Sequence, residues 1–149
     1  MVGIRFEYDL KEEAILQERL NKLAGLDVQK DFLGDLGALV ESQTRRRLSE
    51  EKESPDGVAW VEWSDQYANT RHSGHSLLEG EGDLIDSIDN FVENNAVSIG
   101  SPLVYAAIQH AGGEEVGKDI PERPYLGLSE DNKKEISGAL ESFIEGALS

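Results

Sequence analysis

The stretch "IDSIDNFVENNAVSIGSP", Ile85 to Pro102, decides the fold class, because it interrupts an otherwise helical chain with two short extended runs. The reading places strands over Ser87–Val92 and Ala96–Gly100, joined across "ENNA", where Asn94 and Asn95 tolerate the left-handed backbone of a tight hairpin. Ser101 and Pro102 end the second run. A hairpin needs a further strand and a helical layer to be stable, and both can be read in the flanks. "VGIRFEYD", from Val2, alternates Val2, Ile4, Phe6 and Tyr8 with Gly3, Arg5, Glu7 and Asp9, the period of a half-buried strand.

Between these extended pieces the spacing predicts two helices. Asp9 precedes Glu12 like a capping box, and Leu16, Leu20 and Leu23 form a stripe over Leu10–Leu23, with Gly25 as terminator. A second helix is expected over Val28–Glu50, with Phe32, Leu36, Leu39, Val40 and Leu48 near one face. Gly34 and Gly37 each cost this helix roughly 1 kcal/mol unless close packing offsets it. "LVYAAIQHAGG" reads as a short helix closed by Gly112 and Gly113. Ser129 caps a last helix carrying Ile136, Leu140, Phe143, Ile144 and Ala147. The expected architecture is one α+β domain over residues 1–149: a small mixed or antiparallel sheet, an N-terminal strand, two N-terminal helices, a long flexible loop over 54–76, the hairpin, and a C-terminal helix packed on the sheet.

Charge and composition exclude several functions. Fourteen Lys and Arg against thirty Asp and Glu give a formal charge of -16, which repels phosphate backbones and anionic lipid. Cysteine is absent, so thiolate chemistry and disulfides are excluded and a reducing cytoplasm suits the chain. No apolar run approaches the roughly 18 residues of a membrane span, and "MVGIRFEYDLKEE" does not read as a signal peptide. No membrane partner is expected.

Candidate chemistry is sparse. His72 and His75 in "RHSGH" could supply two metal ligands, yet spacing specifies no third, and loop histidines are the better reading. Asp83 and Asp86 form one of the many acidic pairs expected in so acidic a chain. His110 is read as favouring the last carbonyls of its helix. Arg45–Arg47 are read as a C-terminal helix turn complementing the dipole. Trp60 and Trp63 read as anchors pinning the polar loop, with exposed interface aromatics as the alternative. No catalytic motif, cofactor cradle or metal set emerges.

Four blocks carry the reading further: "SPDGVAW" (Ser54–Trp60), "LLEGEGDLIDSI" (Leu77–Ile88), "VSIGSPLVYAAIQHAGG" (Val97–Gly113) and "IPERPYLGLS" (Ile120–Ser129). In this order they resemble the phage virion morphogenesis family, the tail completion proteins of contractile-tailed phages. The matching positions are Pro55, Asp56, Gly57 and Trp60; Gly82, Leu84, Ser87 and Ile88; Gly100, Tyr105, Ala106, Ile108, Gly112 and Gly113; and Ile120, Pro121, Arg123, Pro124, Leu126 and Gly127. Glu81 and Asp83 stand where the family more often has Thr and Arg, and Tyr125 replaces the usual Phe. The resemblance implies a non-enzymatic virion structural protein at the neck, assembled in the host cytoplasm. It would form a homohexameric ring that contacts the tail tube protein and head-completion or connector proteins, with DNA passing through without specific binding. A head-side connector is the alternative, and a metal-dependent hydrolase using His72 and His75 a remote one.

Pro121 and Pro124 stiffen the last block, and Arg123 between them offers a fork to a carboxylate. This leaves two readings: an arm docking on a neighbouring subunit, whose Arg123→Ala variant would fold but not assemble, or an intrachain turn pinning the last helix. The candidate interface residues are Trp60, Trp63, Tyr105, Pro121, Arg123, Pro124 and Tyr125.

Overall fold

In a computed structural model, residues 2–7, 14–70, 77–78 and 82–148 are described. Strand β1 (Val2–Glu7) is followed by helix α1 (Ala14–Arg46), which continues into a π turn, Arg47–Glu51. Short helices α2 (Asp65–Ala68) and α3 (Asp83–Ser87) precede the hairpin of β2 (Asp89–Glu93) and β3 (Ala96–Ser101). Helix α4 (Ala106–Ala111), a 3-10 turn at Glu114–Val116 and helix α5 (Glu130–Leu148) complete the chain.

The sheet has three strands in the order β1-β3-β2, antiparallel throughout. The hairpin turns at Asn94, whose φ of 55° is the left-handed conformation asparagine accepts. Central β3 is almost wholly buried, whereas edge strand β2 is mostly exposed. Val97 and Ile99 face α1, and the register pairs them with Phe6 and Ile4 of β1. The α+β reading and the hairpin therefore hold.

Two expectations change. The two N-terminal helices are one: α1 runs straight through Gly25. A lone glycine costs roughly 1 kcal/mol, less than ending a helix and nucleating another, and no proline lies between it and Pro55 to force a stop. The Asp9–Glu12 cap lies outside the described residues. The second change concerns α5, which packs chiefly on α1 rather than on the sheet. α1 already covers β2 and β3, so the stripe of α5 meets the other side of that helix, with Phe32 and Phe143 rings 5.0 Å apart. Ser129 caps α5 as expected, its Oγ accepting from Asn132 N at 3.1 Å while Asn132 Oδ1 accepts from Ser129 N at 3.0 Å.

Gly37 shows why α1 tolerates glycine. A Cβ there would meet Val97 Cγ2 at 2.8 Å as well as the Asn90 side chain, so the missing side chain is what lets α1 approach the sheet. Gly34, by contrast, has nothing within 4 Å of that position.

Candidate functional site

Three of the four sequence blocks meet in one place, around the extended segment Ile120–Gly127, while the fourth is tied at Ile85 and Ile88 to Arg45 and at Ser87 to Ser101. That place is built first by the end of α1. Successive helical residues point about 100° apart, so Arg45, Arg46 and Arg47 serve three different neighbours. Arg45 donates to the Ile88 carbonyl at 2.7 Å and the Ile85 carbonyl at 3.3 Å, tying down α3. Arg46 pairs at the surface with Glu51 and, across to α5, with Glu135 at 2.8 Å. Arg47 is completely buried. Its Nη1 donates to the carbonyls of Tyr125 at 2.7 Å and Gly127 at 3.2 Å, and its Nη2 donates to Asn132 Oδ1.

Burial pushes the Arg47 guanidinium below its ordinary pKa, yet an arginine stays protonated. The triplet thus does more than complement a helix dipole: Arg47 is a buried cation neutralised by backbone and amide dipoles. Its Nε and the Oε1 of Gln43, one turn earlier, have no hydrogen-bond partner.

The Pro-Asp-Gly block forms a tight turn beside this cation. Ser54 N donates to the Val58 carbonyl at 2.8 Å, Gly57 adopts a φ of 86°, and Glu53 bridges Ala59. Pro55 then lies against Gly127, where a Cβ would meet Pro55 Cγ at 2.7 Å and where φ is 143°. Only glycine suits that position. Trp60, buried, donates its Nε1–H to the Pro124 carbonyl at 2.9 Å. Trp63 is half-buried against the core and edge-on to Tyr67 at 5.9 Å. Both tryptophans act as anchors.

On its other side the segment is held by α4. Arg123 N donates to the Gln109 carbonyl at 3.1 Å, and Gly113 N to the Ile120 carbonyl at 2.9 Å. Tyr125 is fully buried, its hydroxyl donating to the Ala106 carbonyl at 2.9 Å, and burial pushes its pKa up to about 12. His110 Nδ1 accepts from the backbone N–H of Tyr125 at 3.2 Å and of Leu126 at 3.4 Å. A ring nitrogen that accepts must be unprotonated, and burial holds His110 below the ordinary histidine range. His110 is therefore a neutral acceptor for the segment rather than a cation at a helix end.

Arg123 directs its fork inward. Nε donates to the Val61 carbonyl at 2.8 Å and Nη2 to the Glu62 carbonyl at 3.4 Å, which places the side chain inside the fold on the tryptophan loop. Of the candidate interface residues, Trp60, Arg123 and Tyr125 are buried, Trp63 and Pro124 are half-buried, and Pro121 and Tyr105 are exposed. Tyr105 adjoins Val104, which is 95% exposed. Arg47 and Asn132, the centre of the arrangement, carry no such signal in sequence; an arginine within a helix register otherwise occupied by buried Leu36, Val40 and Leu48 is the available hint.

His72 and His75 lie outside the described residues. Among the described residues no group of three or more His, Asp or Glu could hold a metal ion, and no helix is long and apolar enough to cross a membrane.

Comparison with known proteins gives the arrangement its context. The phage virion morphogenesis family matches residues 11–145. The chain is 30% identical over 142 residues to the putative capsid assembly protein G of Escherichia phage Mu, covering 89% of this chain and 90% of that protein. It is 25% identical over 143 residues to the Mu-like prophage FluMu G protein 1 of Haemophilus influenzae, covering 92% of each. No solved structure matches it significantly.

Proposed function

The chain belongs to the phage virion morphogenesis family, and from that premise we propose that it is a tail completion protein, a ring-forming structural component of the neck. The observation that carries the reading is the convergence of three of the four family blocks on one intrachain knot, centred on Arg47 and Tyr125, with the fourth tied to the same end of α1 through Arg45. The knot uses those residues for shape rather than chemistry, which fits a building block that must present fixed surfaces. In this reading the protein caps the head-proximal end of the tail tube as a homohexamer and receives the head-completion or connector proteins. A closed ring of identical subunits needs two different complementary patches on each. A charge of -16 per subunit would let DNA slide through the lumen, since phosphate contacts are what make DNA adhere.

The name of the phage Mu relative, a putative capsid assembly protein, favours a second reading on the head side of the neck. Electron microscopy of particles from a phage or prophage lacking this gene, with plasmid complementation, separates the two. DNA-filled heads beside unattached or overlong tails are expected; missing or empty heads beside normal tails would refute tail completion.

A further inference from the structure

The strip Asp56–Thr70 is held from beneath and left open above. Within it Trp60 is buried and Trp63 half-buried, and every other residue is exposed. Trp60 N donates to the Lys52 carbonyl at 3.1 Å and Trp60 Nε1 to the Pro124 carbonyl at 2.9 Å. Arg123 donates to the Val61 and Glu62 carbonyls, and Ser64 Oγ accepts from Tyr67 N at 3.3 Å. Chain fixed in this way has little freedom left to lose on docking. The buried tryptophans serve the fold, yet Val58 is 61% exposed, Val61 59% and Tyr67 47%. Single exposed apolar side chains are ordinary. Val58 and Val61, however, are three residues apart, with Cα atoms at most about 11 Å from each other, so one partner segment can cover both.

We propose that this strip docks a basic, apolar-studded segment of a protein other than this chain. The inference goes beyond the tail completion reading and holds for either side of the neck. Charge names the occupant. The strip carries Asp56, Glu62 and Asp65, all exposed, and no Lys or Arg. Two cations that border it are turned inward: Lys52 donates to the Leu48 and Leu77 carbonyls, and Arg123 to the carbonyls beneath Val61 and Glu62. An incoming surface therefore meets carboxylates around valines and needs its own Lys or Arg to offset them. Among the described residues, a second copy does not offer such a surface. Its other exposed large apolar side chains stand among acids too. Phe91 and Val92 lie between Asp89 and Glu93, and Val116 follows Glu114 and Glu115, with Asp119 beside Lys118. Tyr105, next to Val104, is in the field of Asp83. Like charge across an interface suppresses that pairing.

The test places the photocrosslinker p-benzoylphenylalanine at Val58 or Val61 of the full chain, in cells making the phage or prophage with its own copy of the gene deleted. Irradiation during assembly and mass spectrometry of the joined peptides identify what lies on the strip. The expected product links this chain to a different protein, through a segment bearing Lys or Arg beside apolar residues. Glu62→Lys with Asp65→Lys should cut the crosslink from position 58 at least about tenfold. Glu141→Lys with Glu145→Lys, an equal charge change at exposed positions of α5, should not. Val61→Ser keeps the carbonyl that Arg123 uses and should also weaken the crosslink, which keeps the test decisive if urea midpoints show the charge reversal to disturb the fold. A crosslink to a second copy of this chain, a joined segment without Lys or Arg, or no crosslink from either position would overturn the proposal. So would a control variant as damaging as the strip variant. None of these results decides between tail and head, which the deletion phenotype settles separately.

Discussion

Replacing Arg47 with methionine tests whether the buried cation holds the knot. Methionine keeps the length and apolar stem, so the change removes the three donors and little volume. Of the acceptors left behind, Asn132 Oδ1 still receives Ser129 N, and the Gly127 carbonyl is only part-buried. The Tyr125 carbonyl loses a buried partner at 2.7 Å. An orphaned buried acceptor costs about 1–3 kcal/mol. Some of this is offset, because the guanidinium's desolvation is relieved and its Nε was already unbonded. Exchanging a whole buried ion pair for apolar residues can be neutral or better. Here the partners include backbone carbonyls, which no substitution removes. The expected loss is therefore about 1–3 kcal/mol, which for a domain of this size lowers Tm by roughly 2–12 °C. Arg46→Met is the control: its exposed pairs are worth about 0.2–1 kcal/mol. Urea denaturation monitored by tryptophan fluorescence, with amide exchange at residues 123–127, reads both. A methionine variant as stable as the parent, with unchanged exchange in that segment, would refute the reasoning.

The same geometry gives three further expected outcomes. The folded pKa of His110 lies below its unfolded value, so the unfolded chain takes the proton first; its stabilising contribution is full above about pH 6.5 and declines as pH falls below that. His110→Gln, which keeps an acceptor but does not titrate, should flatten the difference between urea midpoints at pH 7.5 and 5.5; an unchanged difference would contradict this assignment. Gly37→Ala should cost about 1–3 kcal/mol by overpacking, while Gly34→Ala should gain up to about 1 kcal/mol, so thermal melts of the two must move in opposite directions. Trp60→Phe leaves the Pro124 carbonyl without its donor and should cost about 1–2 kcal/mol, with faster exchange of the 120–127 amides as the second readout.

Legibility in the sequence tracks range. The hairpin is legible because Asn94 and Asn95 encode their turn locally, and the last helix because Ser129 and its apolar stripe are local too. The helix boundary expected at Gly25 is absent, because a glycine ends a helix only when the residues beyond it cannot continue one. The placement of α5 on α1 depends on which layer the sheet has already taken, information no single helix carries. Tryptophans in a polar loop read correctly as anchors, since burial is a strong tendency of the residue itself. The burial of Arg47 is not legible, because charge predicts exposure unless the partners are known, and those partners lie 78 to 85 positions later.

That separation has a consequence for how the protein is made. The end of α1 leaves the ribosome early, but the groups that satisfy Arg47 emerge only with Tyr125, Gly127 and Asn132. At about 5–20 residues per second, the guanidinium waits several seconds or more, hydrated, before its niche exists. Native packing around it cannot be completed on a nascent chain that stops short of Asn132, so a truncated translation product cannot close the core against itself. A subunit able to complete its fold is in this sense one whose synthesis has passed Asn132.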